Sequence, residues 1–156
     1  MSRTDPQLGH WLDIERRFAA PASLLWRLWT DPEWLKRWFG PRDFICPSYS
    51  LDLRPGGRYR GLIRAEQYGD SWFGGAFREI VPHEKLVMSF AWERDSDLAD
   101  ANEITLTWRE VDGVTLQHFR QGPFADGAER DSHLGGWSEC IDKEAAYLAA
   151  HEEHGA

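Results

Sequence analysis

His118 alternates with Val114 and Leu116 along an extended pattern, which predicts that its imidazole shares their inward face. An imidazole there could orient a ligand carbonyl or act as a general acid or base. The competing reading is a buried histidine satisfied by a neighbouring backbone or tyrosine group, the commoner arrangement. The remaining histidines (His10, His83, His133, His151 and His154) form no pair at ligand spacing beside an acid, apart from the polar tail. Cys46 and Cys140 match no Cys-x-x-Cys or Cys/His pattern. The expectation is therefore no metal and no cofactor, with both thiols reduced. No nucleophile elbow, phosphate-cradling loop or dinucleotide fingerprint occurs, and Glu66, Glu79, Glu93 and Glu103 are too scattered to argue a carboxylate pair. Catalysis is not predicted; an enzyme of cyclase or hydrolase kind would have to use His118.

The aromatic residues support a sharper expectation. Nine Trp, eight Phe and four Tyr make up 13% of the chain, and such rings can line a cavity as readily as they fill a core. Trp38, Phe39, Tyr59, Trp72, Phe77, Phe90, Trp92, Trp108 and Trp137 come from nearly every element, and a sheet under one helix could converge them. Trp72, Phe90, Trp92, Trp108 and Trp137, with His118, are the expected lining of a site for a small apolar or aromatic molecule. Tyr59, Phe77 and Trp38 complete the candidate set. The first two depend on whether Gly74-Gly75 shifts the register.

The elements that must position these rings follow from periodicity. Leu134, Trp137, Ile141, Ala145 and Leu148 draw one apolar stripe along a helix predicted over residues 125–150. Glu139, Asp142, Lys143, Glu144 and Tyr147 are assigned to its wet side. Gly135-Gly136 weakens that helix and suggests a bend or a close backbone approach. Earlier, residues 10–18 alternate as a strand, and Pro21 and Asp31-Pro32 each open a short helix. Strands then follow through Tyr49–Arg54, Arg58–Ala65, Ser71–Ile80, Leu86–Trp92, Glu103–Arg109 and Val114–Phe119, with a hairpin at Asp112-Gly113 and an acidic loop at Asp95–Ala101. The predicted class is α+β. A curved antiparallel sheet of about six to seven strands wraps a long carboxy-terminal helix, with two short helices after the first strand.

At 156 residues and 42% hydrophobic content, the chain suits one domain over residues 11–150, with a flexible arm at 1–10 and a frayed tail at 151–156. A formal charge of −8 argues against nucleic acid. The absence of an apolar leader or a run of about 20 apolar residues points to a soluble, cytoplasmic protein.

Five segments carry a resemblance. They are Trp26 with Thr30-Asp31-Pro32-Glu33, Trp38-Phe39-Gly40-Pro41, Asp52-Leu53-Arg54-Pro55-Gly56-Gly57, Glu79-Ile80-Val81-Pro82-His83-Glu84-Lys85-Leu86, and Gly136-Trp137-Ser138-Glu139-Cys140-Ile141-Asp142. In this order they resemble the domain homologous to the activator of the 90-kDa heat-shock protein ATPase (AHSA-type), a branch of the START-like helix-grip (SRPBCC) superfamily. The resemblance implies a helix-grip fold with a deep cavity between sheet and long helix, used across the superfamily for apolar molecules. It does not imply one function, because members range from carriers to cyclases. The eukaryotic activators carry a separate chaperone-binding domain for which this chain has no room, so chaperone cofactor or protein-interaction activity is the less favoured alternative.

Association is the last expectation. Arg54, Arg58, Arg60 and Arg64 should lie on a solvated outer face and oppose pairing through that strand as a sheet edge. Trp26, Trp29, Trp34 and Trp38 are more rings than two short helices should bury, which marks that region as the surface of any homodimer.

Overall fold

A computed structural model describes residues 9–94 and 102–155, with side chains described as far as His151. Most of the expected amino-terminal arm and the expected acidic loop fall outside the described residues. The chain runs β1 (His10–Phe18), α1 (Ala22–Thr30), α2 (Pro32–Trp38), β2 (Ile45–Leu51), β3 (Arg58–Ala65), β4 (Gly69–Val81), β5 (Lys85–Trp92), β6 (Asn102–Val111), β7 (Val114–Phe124) and α3 (Gly127–Gly155). The strands form one antiparallel sheet in the order β1-β7-β6-β5-β4-β3-β2, curved and unclosed, with α3 across its inner face.

Local chemistry explains the boundaries. Asp31 caps α2 by accepting from the Glu33 amide at 2.9 Å, and Pro32 sits where its missing N–H costs nothing. Pro21 offers α1 no side-chain cap. The carboxylate of Glu110, 88 residues further on, accepts from the Ala22 amide at 2.8 Å instead. Asp112 and Gly113 both have positive φ, as a two-residue hairpin of the primed type requires.

Strand β2 begins at Ile45, earlier than predicted, and takes in Cys46-Pro47. A proline fits because β2 is an edge strand whose pairing with β3 is irregular between Ile45 and Ser48. For the same reason the premise that the arginine-bearing strand is an edge is overturned: β3 lies between β2 and β4. Its arginines do face outward, Arg60 pairing with Glu93 and Arg64 with Asp70.

The core runs between the inner sheet face and all three helices. Phe18, Leu25, Leu28, Trp29, Leu35 and Trp38 close one end, and Leu86, Ile104, Leu106 and Phe119 form the sheet side. Trp26, Trp29, Trp34 and Trp38 are all buried, so the expected ring-rich dimer surface is not presented. Trp34 accounts for itself locally: Arg27 lies over its ring at 4.1 Å, and His151 from the far end of α3 packs on it at 4.6 Å. Among the described residues, no helix is long and apolar enough to cross a membrane.

Candidate functional site

Where α3 leaves the sheet, a cavity of about 760 Å³ remains, open to solvent. Its floor is set by register. Phe73 of β4 lies opposite Gly61 of β3, where a Cβ would fall 2.4 Å from the Phe73 ring, so only glycine lets that ring lie flat on the sheet. Phe39 and Phe90 each stack on it, at 5.3 and 5.6 Å between centroids with planes 19° and 23° apart. Trp92 meets Phe73 and Phe90 edge-on, and Trp137 meets Phe39 and Phe90 in the same way. The result is a floor of packed phenyl rings with indole walls, the stacked and edge-on geometry that aromatic pairs prefer.

The rim is residues 41–44, and α3 pins it with polar groups. The Gly40 amide donates to the Cys140 sulfur at 3.4 Å, and the Arg42 amide donates to Glu139 at 3.0 Å. Lys143 Nζ donates to the carbonyls of Pro41 and Phe44 at 3.3 and 2.7 Å. Half-burial holds the Lys143 ammonium below its usual pKa. Opposite, Phe44 stacks on Tyr68 at 5.8 Å. His133 bridges the wall: the Trp92 indole N–H donates to its Nε2 at 3.3 Å, which leaves Nδ1 to donate to the Glu129 carbonyl at 3.0 Å.

Behind the cavity runs a buried polar chain. The Trp108 indole donates to Gln117 Oε1 at 2.9 Å, Gln117 Nε2 donates to Glu144 Oε1 at 2.9 Å, and the Trp29 indole donates to Glu144 Oε2 at 2.8 Å. A second branch takes the Trp137 indole to Gln121 at 2.8 Å and Gln121 to Asn102 at 3.0 Å. Burial raises the Glu144 carboxyl to about 8, against the lowering effect of its two donors. Burial likewise pushes the Cys140 thiol up to about 12 and Cys46 to about 11, so both remain un-ionised.

Of the residues expected to line the site, Phe90, Trp92 and Trp137 do so. Phe77 and Tyr59 point inward but are packed away, Tyr59 donating to the Ser89 carbonyl at 2.7 Å. Trp38 and Trp108 are core: the first donates to the Leu28 carbonyl at 3.0 Å, and the second lies 5.6 Å from Trp26. Trp72 faces out, with Arg60 over its ring at 3.7 Å; the inward ring of β4 is its neighbour Phe73.

His118 also faces out. Its Nε2 lies 2.7 Å from Asp13 on β1, a carboxylate that Arg120 shares. The inward face of β7 is Thr115, Gln117, Phe119 and Gln121, all buried. Hydrophobicity alternation reads this strand inverted, because three of those four side chains are polar and their partners lie on other elements. Glu144, assigned to the wet side of α3, is fully buried. It sits four residues from both Cys140 and Leu148, so helical spacing alone places it in the stripe. Phe39 and Phe73 are the floor residues missing from the expected lining.

An aromatic cavity gripped between a curved antiparallel sheet and a long carboxy-terminal helix defines a helix-grip, SRPBCC-type domain. Residues 19–149 match the family described as activator of Hsp90 ATPase homolog 1-like protein, and the chain belongs to that family. Solved structures agree on the fold. An AHSA1 protein from Silicibacter pomeroyi superposes with a TM-score of 0.80 at 22% identity, covering 90% of this chain and 99% of its own. A Nitrosomonas europaea protein gives 0.78 at 22% identity, covering 93% and 97%. One from Chromobacterium violaceum gives 0.73 at 25%, covering 88% and 96%. No curated protein matches the sequence.

Proposed function

We propose that this protein binds a small apolar or aromatic molecule between its sheet and α3, and carries or senses it without transforming it. The observation that supports this is the cavity itself: about 760 Å³, within the range of small-molecule sites, with three stacked phenyl rings as its floor. An aromatic lining favours an apolar guest, because burying apolar surface against it releases water from both. The un-ionised thiol of Cys140 and the occupied nitrogens of His133 add no reactive group to that space. Titration with fatty acids, flavonoids and polyketide-like rings tests the reading. At least one class should quench Trp fluorescence saturably and raise the melting temperature; a panel that moves neither signal removes it.

An enzymatic reading through His118 finds one supporting observation. His118, paired with Asp13, lines a groove of about 460 Å³ on the outer face of the sheet, with Glu15 and Lys85 beside it. Orientation of an imidazole by a carboxylate is the arrangement general-base chemistry uses. Such a site would act on a different molecule from the one in the cavity. Hydrolysis of a candidate ester that disappears in His118→Ala, with the melting temperature unchanged, would establish it.

A further inference from the structure

The cavity rim lacks the negative excess of the molecule as a whole. Among the described residues Arg42, Arg94 and, beneath the 41–44 segment, Lys143 stand against Asp43 and Glu139, whereas the whole chain has a formal charge of −8. These cations are only partly neutralised. Arg42 makes one loose, exposed pair with Glu139 at 3.5 Å, and Lys143 spends its hydrogen bonds on the Pro41 and Phe44 carbonyls. Arg94 lies 5.1 Å over the Trp92 ring and forms no ion pair among the described residues.

Beside them the helix presents bare backbone. A Cβ at Gly135 would meet nothing within 4 Å, and one at Gly136 only Pro41 Cγ at 3.8 Å. The close approach that the glycine pair suggested is therefore absent, and no packing demand explains two residues that weaken a helix. Gly136 itself lines the cavity. The missing side chain at Gly136 leaves the rim open between α3 and Pro41.

We infer that the cavity takes an amphipathic acid, its aromatic body against the Trp92 and Trp137 indoles above the phenyl floor and its anionic group passing Gly136 to pair with Arg42 and Arg94. This rests on the binder reading above and adds the chemical class of the guest. The anion stays at the water boundary, so it avoids the desolvation that burying a charge would impose. A planar guanidinium matches carboxylate or sulfonate oxygens in a fork, and stacking on Trp92 holds that of Arg94 in place.

Two fluorescent probes with identical rings separate body from charge: anilinonaphthalene sulfonate and its neutral parent, phenylnaphthylamine. At low salt the sulfonate should bind roughly five- to ten-fold more tightly, the gain that two solvent-exposed ion pairs allow. About 0.5 M salt should erase most of that advantage. Arg42→Gln combined with Arg94→Gln should bring the two probes to equal affinity without weakening the neutral one. Gly136→Leu should weaken both by more than about ten-fold while leaving the melting temperature unlowered, since leucine favours the helix. Equal affinity in the unmutated protein overturns the acid inference and leaves the binder reading standing. A sulfonate preference that survives loss of both arginines overturns the rim assignment. Failure of both probes and of the wider panel overturns the inference and the binder reading together.

Discussion

The indole nitrogen of Trp29 lies 2.8 Å from Oε2 of Glu144, so the helix that closes one end of the sheet and the helix that covers it share a buried hydrogen bond. Gln117 fills the other carboxyl oxygen, and its own orientation is fixed by Trp108, whose N–H must meet the amide oxygen. Both neighbours of Glu144 are therefore donors. Only a carboxyl group offers an acceptor to each.

Burial raises the folded-state pKa of Glu144 from 4.5 to about 8. Between those values the folded state holds a proton that the unfolded state has released, so stability falls as pH rises through this window. From pH 4.5 to 7 the loss from this group is about 3 kcal/mol. Urea unfolding at pH 5 and pH 8 should show it. Glu144→Gln should flatten that slope, yet be less stable at pH 5 by about 1–2 kcal/mol because one donor loses its acceptor. A slope unchanged by the substitution would remove Glu144 as its origin.

Trp137 serves both the cavity wall and the buried polar chain. Trp137→Phe keeps most of the ring packing against Phe119, 4.5 Å away, but leaves Gln121 Oε1 without its donor. A loss of about 1–3 kcal/mol in chemical denaturation is expected. Trp137→Ala also deletes the packed ring and should cost about 3–5 kcal/mol. Equal losses for the two variants would mean that the ring contributes nothing beyond its N–H.

Lys143 holds the rim rather than the core. Lys143→Met should raise amide hydrogen exchange across residues 41–44 and speed ligand release, while global stability moves by less than about 1 kcal/mol. Unaltered exchange in that segment would show that Cys140 and Glu139 suffice to pin it.

His118→Ala should leave every cavity ligand's affinity within about two-fold of the unmutated protein, because the imidazole lies on the opposite face of the sheet. A larger change would place His118 in contact with the cavity through a route this geometry lacks.

Elements that bury apolar side chains are legible in the sequence. The α3 stripe from Trp137 to Leu148, the alternation of Leu86, Met88 and Phe90, and the Asp112-Gly113 hairpin all follow from local pattern. The site was less so, for two reasons. Polar groups satisfied across the core, such as Gln117 and Glu144, look like surface residues until their partners are known. Adjacent rings, Trp72 and Phe73, differ by one step of register, and that step decides which faces the cavity. The tryptophans of α1 and α2 misled in the opposite sense. They look too many to bury, but His151 and Tyr147 of α3 reach back to cover Trp34.

The strand order has a consequence for how the chain assembles. Every ladder but one joins strands consecutive in sequence; the exception is β1 with β7, where Phe18 lies opposite Thr115, a separation of 115 − 18 = 97 residues. The first strand of this sheet to be synthesised thus has its berth built last. Six strands can zip as successive hairpins, while closing the remaining seam waits on a long loop whose entropy must be lost in one step. Until β7 arrives, Leu12 and Phe18 are sticky cargo, so a nascent chain halted before residue 114 should be a better client for a holding chaperone than the finished fold.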